Sequence, residues 1–219
     1  PAIAAGAKSI LFGDFSRFTV RKVGSPLIGT VRERFWPKVG LAGLIRFDGD
    51  LLGGEPPFRR AQMGIGRTYQ IPLPYGGMTT FENLLVSASF AGKKSEGAVY
   101  DYCASVLDKC ELGGKANKMA DSLTLLDRKR LELARALAAR PKLLLLDEIA
   151  GGLTDDEGKD LVELVRKIRD TGVTIVWIEH VLHALMAVAE EQDLIVVSDE
   201  IYESVIYDGR EHVSPAAIS

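Results

Sequence analysis

The chain has 219 residues, 47% of them apolar and 26% charged, a balance that suits an ordinary soluble protein of one domain or two small ones. A formal net charge of −3 excludes a general electrostatic attraction to nucleic acid or acidic membrane. No stretch reaches the ~20 apolar residues of a membrane span, and the first apolar run is short and lacks a basic leader, so neither direct membrane insertion nor a signal peptide is expected.

Residues 1–50 read as a β-rich segment. "SILFGDF", "FTVRKV", "PLIGTVRERFW" and "LAGLIRFDGD" carry β-branched and aromatic residues divided by Gly and Pro. From Glu55 the texture changes. "PPFRRAQMGIGRTYQ" predicts a short helix opened by Pro56 and Pro57, then a strand running into a Pro-rich loop at 71–78. Residues 79–110 read as helices, with "TTFENLLVSASF" starting on a Thr cap and Glu82 close behind. Cys103 and Cys110 fall in this part. Their spacing corresponds to about 10 Å along a helix at ~1.5 Å per residue, too far for a disulfide, and predicts buried thiols in a reducing compartment.

"DRKRLELARALAA" is amphipathic at helical spacing, with Leu131, Ala134, Leu137 and Ala138 on one face, and Pro141 ends it. "KLLLLDE" is an apolar strand fitted to a sheet covered on both faces. "DDEGKDLVELVRKIRDTG" predicts a helix closed by Gly172, "VTIVWIEH" a second buried strand, and "VLHALMAVAEE" a helix after it. "DLIVVSDEI" and "ESVIYDG" read as two closing strands. Alternating strands and helices from Lys142 onward predict an α/β fold with a parallel sheet.

Five ordered motifs across residues 46–189 resemble the ATP-binding subunits of ABC transporters, nearest to the branched-chain amino acid type. "GIGRTYQIPLPYGGMTTFENL" is similar to the Q-loop, and the resemblance implies that Gln70 senses Mg²⁺ and the γ-phosphate. "LTLLD", Leu123, Thr124, Leu125, Leu126 and Asp127, stands where the family has its LSGGQ signature and implies contact with nucleotide. "LLLLDE" resembles Walker B: Asp147 would hold Mg²⁺, largely through water, and Glu148 would polarise the attacking water. "GGLT" resembles the D-loop, with Thr154 where many members have Asp, and "WIEH" the switch strand, with His180 touching the γ-phosphate. Phosphoryl transfer needs a cation, an oriented water and donors around the γ-phosphate, which is why these residue types recur. Taken singly, Glu148 could cap a helix, His180 could be a packed histidine, and "EHVLH" with His183 could imitate a metal pair.

One motif is missing. A phosphate loop reads G-x-x-x-x-G-K-[ST], because successive backbone N–H groups wrap the β-phosphate and Lys reaches the β/γ oxygens. "GKKS" at Gly92 has Lys94 after its Lys and Ser87 where the first Gly belongs. "GGKA" at Gly113 has Ala116 in place of Ser or Thr, and "AIAAGAKS" has Ala2 and Ala7 in place of both glycines. The family's phosphate loop and adenine-stacking aromatic belong before the Q-loop, in the region taken here by residues 1–45.

Residues 1–52 instead resemble a piece of tailed-phage major capsid proteins, through "ILFGDFSRF" and "LIRFDGDLL". "DLIVVSDEIYESVIYDGREHVSPA" resembles fold-type I aminotransferases that use pyridoxal phosphate. That resemblance implies roles for Asp199 and Tyr202 toward the cofactor ring, but no Schiff-base Lys accompanies them, and a plain β-hairpin without such chemistry is expected. The chain therefore reads as a mosaic: a β-rich capsid-like segment at 1–50, an ABC-ATPase-like region at 51–189 and an aminotransferase-like hairpin at 190–219. The expected architecture is α/β, a partial P-loop-NTPase-like parallel sheet with a helical subdomain and a β-rich N-terminal segment.

ATP and Mg²⁺ are cofactors by resemblance only, and none is expected to act in the isolated chain. Two rivals stand beside this reading: a non-enzymatic binding or regulatory protein, and one half of a complemented ATPase. The resemblance implies a cytoplasmic protein, with a transporter membrane subunit as a possible partner. Without a helix after a phosphate loop, Leu143–Leu146 and 173–178 lack cover on one face. Either the N-terminal strands fold over it or a second chain does, and self-association is the favoured expectation.

Overall fold

The structure, a computed structural model, describes residues 9–12, 18–22, 43–92, 95–179 and 195–197. In chain order these form β1 (Ser9–Phe12), β2 (Phe18–Lys22), β3 (Gly43–Phe47), β4 (Asp50–Leu51), α1 (Pro57–Gln62), β5 (Ile65–Arg67), α2 (Thr80–Gly92), α3 (Tyr100–Lys109), α4 (Leu125–Ala138), β6 (Leu143–Asp147), α5 (Asp155–Arg169), β7 (Thr174–Ile178) and β8 (Ile195–Val197).

The main sheet has the order β5-β6-β7-β1-β8. Its first three strands are parallel, with Arg67 opposite Leu145 and Asp147 opposite Ile178. β1 joins the far side of β7 in antiparallel sense, Ser9 opposite Ile178, and pairs antiparallel with β8 as well. A second, antiparallel sheet has the order β2-β3-β4. Its β3–β4 turn uses left-handed backbone at Asp48 (φ 49°) and Gly49 (φ 88°).

The two faces of β6 and β7 are covered differently. Leu144, Leu146, Ile175 and Trp177 point into a core shared with Leu131, Leu133 and Ala134 of α4 and Leu161, Leu164, Val165 and Ile168 of α5. On the opposite face, Leu143 and Val176 pack with Phe47 of β3 and Leu52, beside the half-buried Ile45, Met63, Ile65 and Leu145. The β3–β4 unit thus covers part of the face for which a second chain was favoured. An ion pair from Lys142 to Asp48 closes the same contact.

Local signals account for the helix boundaries. Pro57 starts α1 in the position that needs no N–H donor. Thr124 caps α4 by accepting from the Asp127 N–H at 3.3 Å. Thr154 and Glu157 form a reciprocal capping box on α5. Thr154, the last residue of the D-loop-like "GGLT", thus also starts α5. Cys103 and Cys110 are buried free thiols, and burial pushes the Cys110 thiol up to about 12.

α4 departs from its amphipathic reading. Besides the predicted apolar face, Asp127, Lys129 and Glu132 are buried, each at most 5% exposed. Residues 26–36, the helix expected from Val181 and the aminotransferase-like hairpin with Asp199 and Tyr202 lie outside the described residues or nearly so, only Ile195–Val197 of the last being described.

Candidate functional site

The carboxyl ends of β5 and β6 bring together the residues that sequence reasoning set far apart. Gln70 lies three residues beyond β5 and Glu148 one beyond β6. The Gln70 side-chain amide donates to Glu148 Oε2. Next to them, Arg67 Nη2 donates to Asp147 Oδ2 at 2.9 Å, and the Arg67 guanidinium also lies over the Tyr69 ring, 5.1 Å from its centroid. The ion pair is half open to solvent, with side-chain exposures of 42% and 24%, which keeps its contribution to stability at about 1 kcal/mol or less.

The backbone beneath the two acids is held tightly. Asp147 N–H donates to the buried Thr68 hydroxyl at 3.2 Å, and Glu148 N–H donates to Ile178 O at 2.8 Å. Glu148 itself has left-handed backbone (φ 46°), a conformation that costs a non-glycine residue roughly 1–3 kcal/mol and persists where the surroundings enforce it. Two charged groups under the turn do so. Glu179, 1% exposed, accepts from Ala150 N–H at 3.0 Å. Lys129, 4% exposed, donates from Nζ to Gln70 O at 2.8 Å and to Glu148 O at 3.2 Å. Burial lowers the Lys129 ammonium below lysine's ordinary range, against the pull of Glu179, Glu148 and Glu132. Burial likewise raises Glu132, against Arg135.

The Leu123–Asp127 stretch opens α4 and divides in two. Leu123 is buried, while Thr124 and Leu125 are exposed and Leu126 is half-buried. Asp127, side chain 5% exposed, is held by Lys115 Nζ at 2.6 Å. Lys115 belongs to "GGKA", so that glycine-containing stretch supports the signature-like turn rather than a phosphate. A Cβ on Gly113 would lie 2.0 Å from Asp108 Oδ1, a contact that the exposed Asp108 side chain can relieve by turning away. His180 lies outside the described residues.

Arg67, Lys129, Glu179 and Thr68 escaped the sequence reading. Arg67 had a signal, since strand alternation from Ile65 puts it on the same face as Asp147. Lys129 had a weaker one: with Leu125, Glu132 and Ala136 it forms a line along one side of α4, apart from the apolar face of Leu131, Ala134, Leu137 and Ala138.

Among the described residues no helix is long and apolar enough to cross a membrane, and no group of three or more His, Cys, Asp or Glu forms a metal cluster.

The sheet, its helical layer and the acids at the strand ends define an α/β, P-loop-NTPase-like fold, that of the ATP-binding cassettes of ABC transporters. Solved structures with this fold include a nucleotide-free ATP-binding cassette from an ABC transporter (TM-score 0.58, 24% identity, covering 66% of this chain and 62% of that one). The cassette MJ1267 in its ADP conformation is another (TM-score 0.56, 26% identity, 65% and 62%). By sequence, the chain is similar to ATP-binding subunits of the branched-chain amino acid type. It is 36% identical over 163 residues to the high-affinity branched-chain amino acid transport ATP-binding protein BraF of Pseudomonas aeruginosa, covering 68% of this chain and 64% of the relative. It is 34% identical over 154 residues to LivG of Escherichia coli, covering 64% and 60%. A probable LivG of Archaeoglobus fulgidus is 28% identical over 184 residues, covering 77% and 68%. The chain thus spans somewhat under two thirds of the first two relatives. No family model matches it.

Proposed function

We propose that this chain is an ABC-transporter ATPase-like protein that keeps the acid pair and lacks the phosphate-gripping loop, so that alone it neither binds ATP tightly nor hydrolyses it. The observation that carries the reading is the convergence of Gln70 and Glu148 beside Asp147 at the carboxyl ends of parallel strands, where ligands bind in α/β sheets. Its negative half rests on the sequence, which offers no G-x-x-x-x-G-K-[ST].

The donor set fits magnesium, which takes hard oxygen ligands and keeps several waters. Asp147 and the Gln70 amide oxygen would hold it, once Arg67 has moved off Asp147. When bound, the ion would neutralise charge on the phosphate oxygens and help orient the nucleotide. Glu148 is set to accept a proton from, or orient, a water on the neighbouring side, and Gln70 holds its carboxylate in place until then. His180 is proposed, by family resemblance, to contact the γ-phosphate. Thr124, Leu125 and Leu126 are proposed to face nucleotide held by another subunit, a role supported by the exposure of the first two.

A second reading is a complementing half, in which a companion chain brings the phosphate loop to these acids. The half-buried Leu145 and Ile178 near the acid end of the sheet favour it, because a helix following such a loop would cover them. Protein contact is supported separately by the exposed Tyr69, Ile71, Leu73 and Tyr75 along the Q-loop, a surface suited to a transporter membrane subunit.

Calorimetric titration with Mg²⁺-ATP tests the proposal, with and without candidate partner subunits. The expected result is no saturable binding at micromolar ATP by the chain alone. Saturable binding that disappears in Asp147→Ala would overturn it, and binding that appears only with a partner would establish the second reading.

A further inference from the structure

We propose that Lys129 is the positioning residue of this site: its ammonium ties the Gln70 loop and the Glu148 turn to α4, so that a shift of the signature-like helix moves both. The inference concerns the site just described but stands on its geometry.

A lysine in the middle of a helix normally extends into water. This one is 4% exposed, and burying an ammonium is unfavourable unless hydrogen bonds and opposite charge compensate it. The compensation is directional. One donor goes to Gln70 O and another to Glu148 O, the carbonyls of the two residues whose side chains bond each other. Three carboxylates surround it from different elements: Glu132 on α4, Glu148 after β6 and Glu179 after β7. A compact, rotatable ammonium on a flexible stem can reach two carbonyls on separate segments in this way, whereas a planar guanidinium cannot turn its donors independently.

The arrangement has a mechanical consequence. α4 begins with Thr124 and Leu125 at the surface, and Lys129 lies about one turn further along the same helix. A ligand or partner that pulls on the Leu123–Asp127 stretch therefore acts on the acid turn through Lys129. The left-handed backbone at Glu148 (φ 46°) makes that turn the segment most ready to relax when the hold is lost.

The test compares the full chain with Lys129→Met and Lys129→Arg by amide hydrogen exchange and by the Gln70 side-chain NH₂ resonance. Ile168→Val, a core change remote from the site, serves as a control for general loss of stability. Lys129→Met is expected to speed exchange at Glu148, Ala150 and Gly151 by roughly ten- to a hundredfold relative to the Ile168→Val control, the range for losing hydrogen bonds to a charged group. It should also shift the Gln70 NH₂ signal, with Lys129→Arg recovering part of both changes. If Lys129→Met raises exchange evenly through α4 and the sheet, or leaves these amides and the Gln70 signal unchanged, the proposal is wrong. No nucleotide enters the experiment, so its failure leaves the ATPase-like reading untouched, and the calorimetric result leaves this one untouched.

Discussion

Phe47→Ala measures whether the β3–β4 unit is part of the working fold. Phe47 is 2% exposed and packs with Leu52, Leu143 and Val176. Removing a buried Phe side chain typically costs about 3–5 kcal/mol, the transfer term plus the cavity left behind. That is a large share of a domain's stability of about 5–15 kcal/mol, and it corresponds to a fall in melting temperature of roughly 6–20 °C for a chain of this size. The assay is thermal and urea denaturation followed by circular dichroism. Ile71→Ala serves as the control, because Ile71 is 69% exposed and should change stability by no more than about 0.5 kcal/mol. If Phe47→Ala behaves like Ile71→Ala, β3 does not pack on the parallel sheet and the covering argument fails. If the loss reaches the expected size while light scattering over a dilution series shows a monomer throughout, the β3–β4 unit supplies the cover on this face.

Removing the capping box with Thr154→Ala should cost about 1 kcal/mol, read as a shift in urea midpoint at constant slope. Lys115→Met leaves the buried Asp127 carboxylate without its main partner and should cost about 1–3 kcal/mol, whereas the same change at the exposed Lys159 should be nearly silent in the same melts. The Cys110 thiol, pushed up to about 12 by burial, gives a signed pH effect. Between an unfolded thiol value near ~8.5 and the folded value, the unfolded chain has released a proton that the folded chain keeps. The thiol's contribution is therefore fully present below the lower value and lost as pH rises toward the upper one. Cys110→Ala should flatten that alkaline slope in denaturation curves taken across the window, and native Cys110 should resist alkylation at neutral pH.

Periodicity and punctuation made much of the scaffold legible. The apolar run of β6, the Pro start of α1 and the helix–strand alternation after Lys142 each state a local preference that the tertiary structure satisfies. The acid pair was legible for the same reason: a charged pair at the end of a fully apolar strand has few other places to go. What escaped was long-range. Lys129 and Arg67 meet their partners across 59 and 80 residues of chain respectively. Within α4, only the line that Lys129 shares with Leu125, Glu132 and Ala136 hints that it reaches back under a turn rather than into water. The direction of β1 was equally hidden, because strand propensity carries no sign.

That direction bears on the phosphate loop that the chain is proposed to lack. In P-loop proteins a strand delivers its carboxyl end to the site, and the loop runs from there onto a helix whose N–H groups face the phosphates. β1 lies beside β7 but runs the other way, with Ser9 rather than Phe12 in the row of Ile178 and Asp147. A chain leaving β1 at Phe12 departs at the end of the sheet away from Glu148. The slot beside β7 is filled by a strand that runs away from the acids. The strand sense of β1 thus supports the proposed absence of the loop on a ground separate from residue type. A phosphate loop brought by a companion chain, as in the second reading proposed above, would reach Asp147 and Glu148 without using β1, which is why the titration gains most from including partner subunits.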